Sequence, residues 1–127
     1  AESDEADILE KKAQARLTEQ VTLVLNKGQT LLNLDRLDEA LECFDEAISL
    51  DSERADAFVK RGTALEKLQH VDEAISAYDQ AIALDEGLAT AYLNKAGILN
   101  RLERYNEALE CYEQALGHNK NRALEVV

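Results

Sequence analysis

The chain contains no proline, no tryptophan and no methionine, and only 5 glycines are spread over its 127 residues. Gly and Pro are the strongest helix breakers and the commonest turn residues of sheets, so their scarcity argues against a hairpin-rich β fold and for an all-α chain. Without Met the chain cannot carry its own initiator, and Ala1 is therefore expected to be a trimmed end or a cut inside a longer protein. No stretch approaches the ~20 consecutive apolar residues of a membrane span. The segment from Ala1 to Glu10 is acidic where a secretory leader is basic and then apolar. Membrane insertion and export are not expected, and the expected compartment is cytoplasmic.

Few groups could do chemistry. Cys43 and Cys111 form no CxxC pair and have no His near them in sequence, so they read as small apolar core residues, with no redox or metal role. His70 and His118 are the only imidazoles, one expected in a short turn and one at a helix end. Acidic pairs such as Asp45-Glu46 and Glu107-Glu110 are expected on outer helix faces, without the burial that moves a carboxyl pKa toward catalytic use. There is no Gly-rich phosphate loop, no Cys/His metal spacing and no acidic calcium loop. The chain is expected not to be an enzyme and to need no cofactor and no metal.

Charge narrows the partners. Lys and Arg number 14 against 26 Asp and Glu, a net charge of −12, which repels phosphate backbones and anionic membrane surfaces alike. Nucleic acid is not expected as a direct partner. The 46% hydrophobic and 31% charged residues describe one folded, solvated domain.

What is present is a repeat. The segments at 37–53 (LDEALECFDEAISLDSE), 71–87 (VDEAISAYDQAIALDEG) and 105–121 (YNEALECYEQALGHNKN) start 34 residues apart without insertion. Between them VTLVLNKGQTLLNL, ADAFVKRGTALEKL and ATAYLNKAGILNRL keep the same step. Leu41, Phe44, Ala47 and Ile48 fall at i, i+3, i+6 and i+7, one stripe of an amphipathic helix. Asp38, Asp72 and Asn106 stand where an N-cap is expected. The connections span only a few residues, which makes successive helices antiparallel.

These spacings resemble the tetratricopeptide repeat. The family's small residue in the first helix falls on Gly28, Gly62 and Ala96, and its second-helix alanines on Ala40, Ala74 and Ala108, then Ala47, Ala81 and Ala115. Its large aromatic in the second helix is Phe44, Tyr78 and Tyr112, and its first-helix aromatic position holds Val24, Phe58 and Tyr92. The family's Leu before the small residue is replaced by Lys27, Arg61 and Lys95, and its Pro after the second helix by Ser52, Glu86 and Lys120.

The resemblance implies an all-α, right-handed α-solenoid of three tandem 34-residue helix-turn-helix repeats with flanking helices. Its boundaries are residues 1–20 for an N-terminal helix, read as a degenerate half-repeat or cap, 21–54, 55–88 and 89–122 for the three repeats, and 123–127 for the start of a further helix. Asp4-Glu5-Ala6 lies one period before Asp38-Glu39-Ala40, which makes residues 4–17 the second helix of an earlier copy; one continuous helix running into Val21 is the alternative.

By the same resemblance the first helices line a groove that binds a partner peptide or protein segment. Its lining falls on Asn26, Gln29 and Asn33 in the first repeat, beside Leu25 and Leu32. Lys60, Thr63 and Lys67 follow in the second, beside Val59 and Glu66, and Leu93, Asn94, Asn100 and Arg101 in the third. Asn26 and Asn94 are equivalent, and a carboxamide can both donate to and accept from a peptide backbone. Leu25, Val59 and Leu93 are equivalent too, and are expected to form an apolar strip.

Family members that hold the acidic tail of heat-shock chaperones use a Lys-Asn-Asn-Lys-Arg clamp. The matching positions here are Leu25, Gln29, Lys60, Thr90 and Asn94, none of which agrees, so that ligand is not expected. Two other functions remain open: a self-assembling module, a homo-oligomer formed through open repeat ends, or the regulatory domain of a larger enzyme.

Overall fold

A computed structural model describes the backbone of residues 2–126 and the side chains of residues 3–118. Among the described residues there are six helices and no strand: α1 Glu2–Asn33, α2 Leu37–Leu50, α3 Ala55–Lys67, α4 Val71–Leu84, α5 Ala89–Arg101 and α6 Tyr105–Val126. The chain is all-helical, of the helical-repeat class. It divides into two compact units, residues 1–52 and 53–127.

In the first unit α2 packs against the C-terminal half of α1. The stripe Val21, Leu25, Gly28 and Leu32 recurs at four- and three-residue steps, so it forms one face of α1 and is buried. Ala40, Cys43, Phe44 and Ala47 of α2 are buried as well. Gly28 makes the close approach possible, because a Cβ there would stand 2.5 Å from Cε1 of Phe44.

The N-terminal half of α1 lacks such a partner: residues 3–16 are all exposed. Residues 4–17 do not form a helix of their own. The segment is rich in Ala, Glu, Lys and Gln, which favour helix, and has neither Gly nor Pro to stop it before Gly28. α1 therefore passes through the expected boundary at 20/21 unbroken.

In the second unit α3 packs on α4, α4 on α5, and α5 on α6. Gly62 repeats the device of Gly28, since a Cβ there would lie 2.6 Å from Cε1 of Tyr78. Around α5 and α6 the buried cluster comprises Tyr92, Ala96, Leu99, Ala108, Cys111 and Ala115, with Ile75, Ile82 and Tyr112 against it. α6 differs from expectation at its end: it continues to Val126, with no turn near 119 and no new helix opening at 123.

The turns after the first helices explain a second difference. Asp35, Gln69 and Glu103 adopt positive φ of 61°, 66° and 61°. The next residue's N–H then reaches back to a leucine carbonyl, as Arg36 to Leu31 at 2.9 Å, His70 to Leu65 at 2.8 Å and Arg104 to Leu99 at 2.8 Å. This left-handed cap satisfies the helix end and starts the next helix two residues earlier than the Asp signal suggests. Arg36 and His70 are the residues flanking α2 and α4, without a side-chain cap. Asp38 and Asp72 lie inside the first turn instead, where a carboxylate still favours the positive end of the helix dipole.

Candidate functional site

The first-helix face in residues 53–127 is shaped by a part-buried polar network. The Tyr78 hydroxyl reaches out of the α3–α4 core and donates to Oε1 of Glu66 at 3.1 Å, with Thr63 Oγ1 3.3 Å away. Arg101 of α5 donates to the other oxygen of Glu66. Burial, opposed by the Thr63 hydrogen bond and reinforced by the charge of Glu66, pushes the Tyr78 phenol up to about 12. The phenol thus stays a donor at any physiological pH, and it ties α4 to α3 while Arg101 ties α5 to the same carboxylate.

Several residues expected to meet a ligand are occupied within the chain. Gln29 Nε2 donates to Asn33 Oδ1 at 3.0 Å on α1. Thr63 Oγ1 donates to the Val59 carbonyl at 3.1 Å, and Asn100 Nδ2 to the Tyr112 hydroxyl at 3.3 Å. Arg101 is neutralised by Glu66.

The expected apolar strip is also corrected. Leu25 is 2% exposed and Leu32 is buried with it, because both belong to the packed stripe of α1, while Val59 is half-buried and Leu93 is 51% exposed. Asn26 is exposed on α1.

What remains together on α3 and α5 is a small site. Asp56, Val59 and Lys60 of α3 and Leu88 and Thr90 at the start of α5 enclose an open depression of about 180 Å³ with a mainly apolar lining. Leu93 and Asn94 stand one turn further along α5 from Thr90, and Lys67 two turns along α3 from Lys60. Leu88 was not anticipated. It precedes α5 in the connection Asp85-Glu86-Gly87-Leu88, and an apolar residue in so polar a link is the signal that could have marked it.

The remaining chemistry-bearing groups lie elsewhere. Burial raises the Cys43 and Cys111 thiols, which keeps them protonated despite Lys27 and Lys95 nearby. The Lys95 ammonium is disfavoured by its own burial, but the hydrogen bond and charge of Asp79, 2.7 Å away, outweigh this and leave its pKa raised. His70 is exposed beside α4, whereas His118 lies inside α6 and stacks on Tyr92 with ring centroids 6.1 Å apart. Among the described residues no group of three or more His, Cys, Asp or Glu could hold a metal ion, and no helix is long and apolar enough to cross a membrane.

Comparison with known proteins gives a consistent picture. The family model described as tetratricopeptide repeat matches residues 25–89 and again residues 59–123. No curated protein matches the sequence. Similar solved structures include MamA, at TM-score 0.77 and 24% identity over 81% of this chain and 60% of that one. The match therefore spans less than two thirds of that relative's length.

The second tetratricopeptide domain of Spaghetti (RPAP3), bound to the HSP90 peptide SRMEEVD, aligns at TM-score 0.75 and 27% identity over 83% of this chain and 96% of that one. The TPR2B domain of yeast Sti1, in complex with pHsp70, aligns at TM-score 0.77 and 25% identity over 81% and 82%.

Proposed function

Since the chain belongs to the tetratricopeptide repeat family, we propose that it is a protein-interaction module that holds a segment of a partner protein against its first helices. Within residues 53–127 the seat is the depression between α3 and the start of α5. The observation that carries this reading is the exposed Leu93 beside that mainly apolar hollow, rimmed by Lys60, on a chain whose net charge is −12. An apolar anchor of the partner would enter the hollow, and Asn94 would meet its backbone with both a donor and an acceptor.

The peptide complexes of Spaghetti and Sti1 support the general mode. The partner chemistry differs, because Lys60, Thr90 and Asn94 stand where the chaperone-tail clamp has Asn, Lys and Arg, and Leu25 at another clamp position is buried. The ligand proposed here is therefore an internal segment with an apolar side chain, recognised without its terminal carboxylate.

Phage-displayed random 12-residue peptides selected on the intact chain test this. Enriched peptides should carry an apolar anchor and should bind Leu93→Glu and Lys60→Glu variants about tenfold more weakly or worse, the usual loss at an interface anchor. Arg101 is left unchanged, because its reversal would set a second carboxylate beside Glu66. Selection of no peptide, or undiminished binding to both variants, would remove this face from the account.

A further inference from the structure

The packing of α5 on α4 is a template for two surfaces that are left exposed among the described residues. α5 meets α6 through Tyr92, Ala96 and Leu99. Its other stripe, Ala91, Lys95, Ile98 and Leu102, turns to α4, where Lys95 bonds Asp79 at 2.7 Å and Ile98 and Leu102 share a depression with Val71. On the α4 side Val71, Ile75 and Ile82 are half-buried by this contact.

One period later the same stripe of α6 holds Tyr105, Leu109 and Leu116, each more than half exposed, with Glu113 in the place of Asp79. Two periods before α5, α1 holds Leu23, Lys27, Thr30 and Leu34 in the places of Ala91, Lys95, Ile98 and Leu102. Leu23 and Leu34 are again more than half exposed, and Lys27 and Thr30 are exposed with them. The chain thus carries an uncovered version of each half of its own α4–α5 contact.

We propose that a second copy of the chain docks head to tail, laying the α1 stripe of one copy across the α6 stripe of the next. The charges support this occupant. In the α4–α5 register Lys27 of one copy falls opposite Glu113 of the other, so the lysine-carboxylate pair of Lys95 and Asp79 is reproduced with the same signs. Apolar residues then meet apolar residues on both sides of it. The two stripes are different surfaces, so the contact is heterologous: an open assembly of any size still offers one free α1 stripe at one end and one free α6 stripe at the other, and growth continues. This surface is separate from the Lys60–Leu93 face, and the two can be broken independently.

Sedimentation velocity of the full chain from micromolar to millimolar concentration tests the proposal. The average mass should climb with concentration and pass that of a dimer. Leu23→Glu and Leu109→Glu should each remain monomeric over the same range, an association weakened at least roughly tenfold by forcing a charge into an apolar contact. An equimolar mixture of the two should form dimers and nothing larger, because each variant brings one intact stripe. Lys27→Glu and Glu113→Lys should each weaken association about threefold, and their combination should restore it.

Both leucines are exposed, so helicity by circular dichroism should be unchanged; if it were not, the charge exchange decides by itself. A wild type that stays monomeric, a single-stripe variant that still grows, or a mixture that stays monomeric overturns the proposal.

Discussion

Tyr78 and Tyr112 stand one period apart at the same place in their repeats, yet they live in different surroundings. Tyr78 is fully buried against Gly62, and its hydroxyl is engaged by Thr63 and Glu66. Tyr112 is half-buried, opposite Ala96 in place of a glycine, and its hydroxyl accepts from Asn100 at the surface. Two causes act together. The methyl of Ala96 occupies volume that the Tyr78 ring takes over at Gly62, and α4 has α5 on its outer face where α6 has no helix among the described residues. The repeat pattern says which face of a helix is apolar; the neighbour decides how deeply that face is buried.

The comparison breaks most visibly by truncation. Tyr78→Ala should cost ~3–5 kcal/mol, the range for deleting a buried aromatic side chain. Tyr112→Ala should cost about half as much, because less of the ring leaves an apolar environment. Urea unfolding of both variants checks this, and equal losses would mean that burial does not separate the two rings.

A smaller effect tests the close approach itself. Gly62→Ala gains ~1 kcal/mol of helix propensity but presses a methyl onto a buried ring, which costs about 1–3 kcal/mol. We expect a net loss of about 1 kcal/mol in the same assay, since a hypothetical Cβ lies as near as 2.6 Å to that ring. Ala96→Gly should also lose about 1 kcal/mol, there through propensity alone. A Gly62→Ala chain more stable than wild type would show that the ring can move aside as it does at Ala96.

The hydroxyl network gives the smallest effect and a pH signature. Tyr78→Phe should lose about 1 kcal/mol at neutral pH, the net worth of a typical hydrogen bond. The phenol of an unfolded chain ionises near pH 10, whereas Tyr78 holds its proton until about 12. Its contribution is therefore fully present below pH 10 and is lost as pH rises through 12. Unfolding midpoints followed from pH 9 to 12 should fall more steeply for wild type than for Tyr78→Phe; parallel curves would remove the buried phenol from the alkaline loss.

Much of the architecture is legible in the sequence. The helical spacing of Leu41, Phe44 and Ala47 and the exact 34-residue step located α2 through α5, and the small residues at 28 and 62 marked the two tightest approaches. The continuous course of α1 and α6 was less legible. Their outer halves repeat the sequence pattern of neighbouring copies but have no partner helix to enforce a turn, so favourable local propensity carries the helix on.

The candidate site divides in the same way. Spacing alone placed Lys60, Thr63 and Lys67 on one face of α3 and Leu93 and Asn94 on one face of α5, because a helix repeats its faces every three to four residues. Only the tertiary structure decided which of these side chains a ligand could reach. Leu25 and Leu93 are equivalent in sequence, and one is buried while the other is open. Thr63 and Arg101 are drawn into the Tyr78–Glu66 network, and Gln29 binds Asn33. Periodicity is a property of a single helix, whereas burial and hydrogen-bond partners are set by residues far away in the chain.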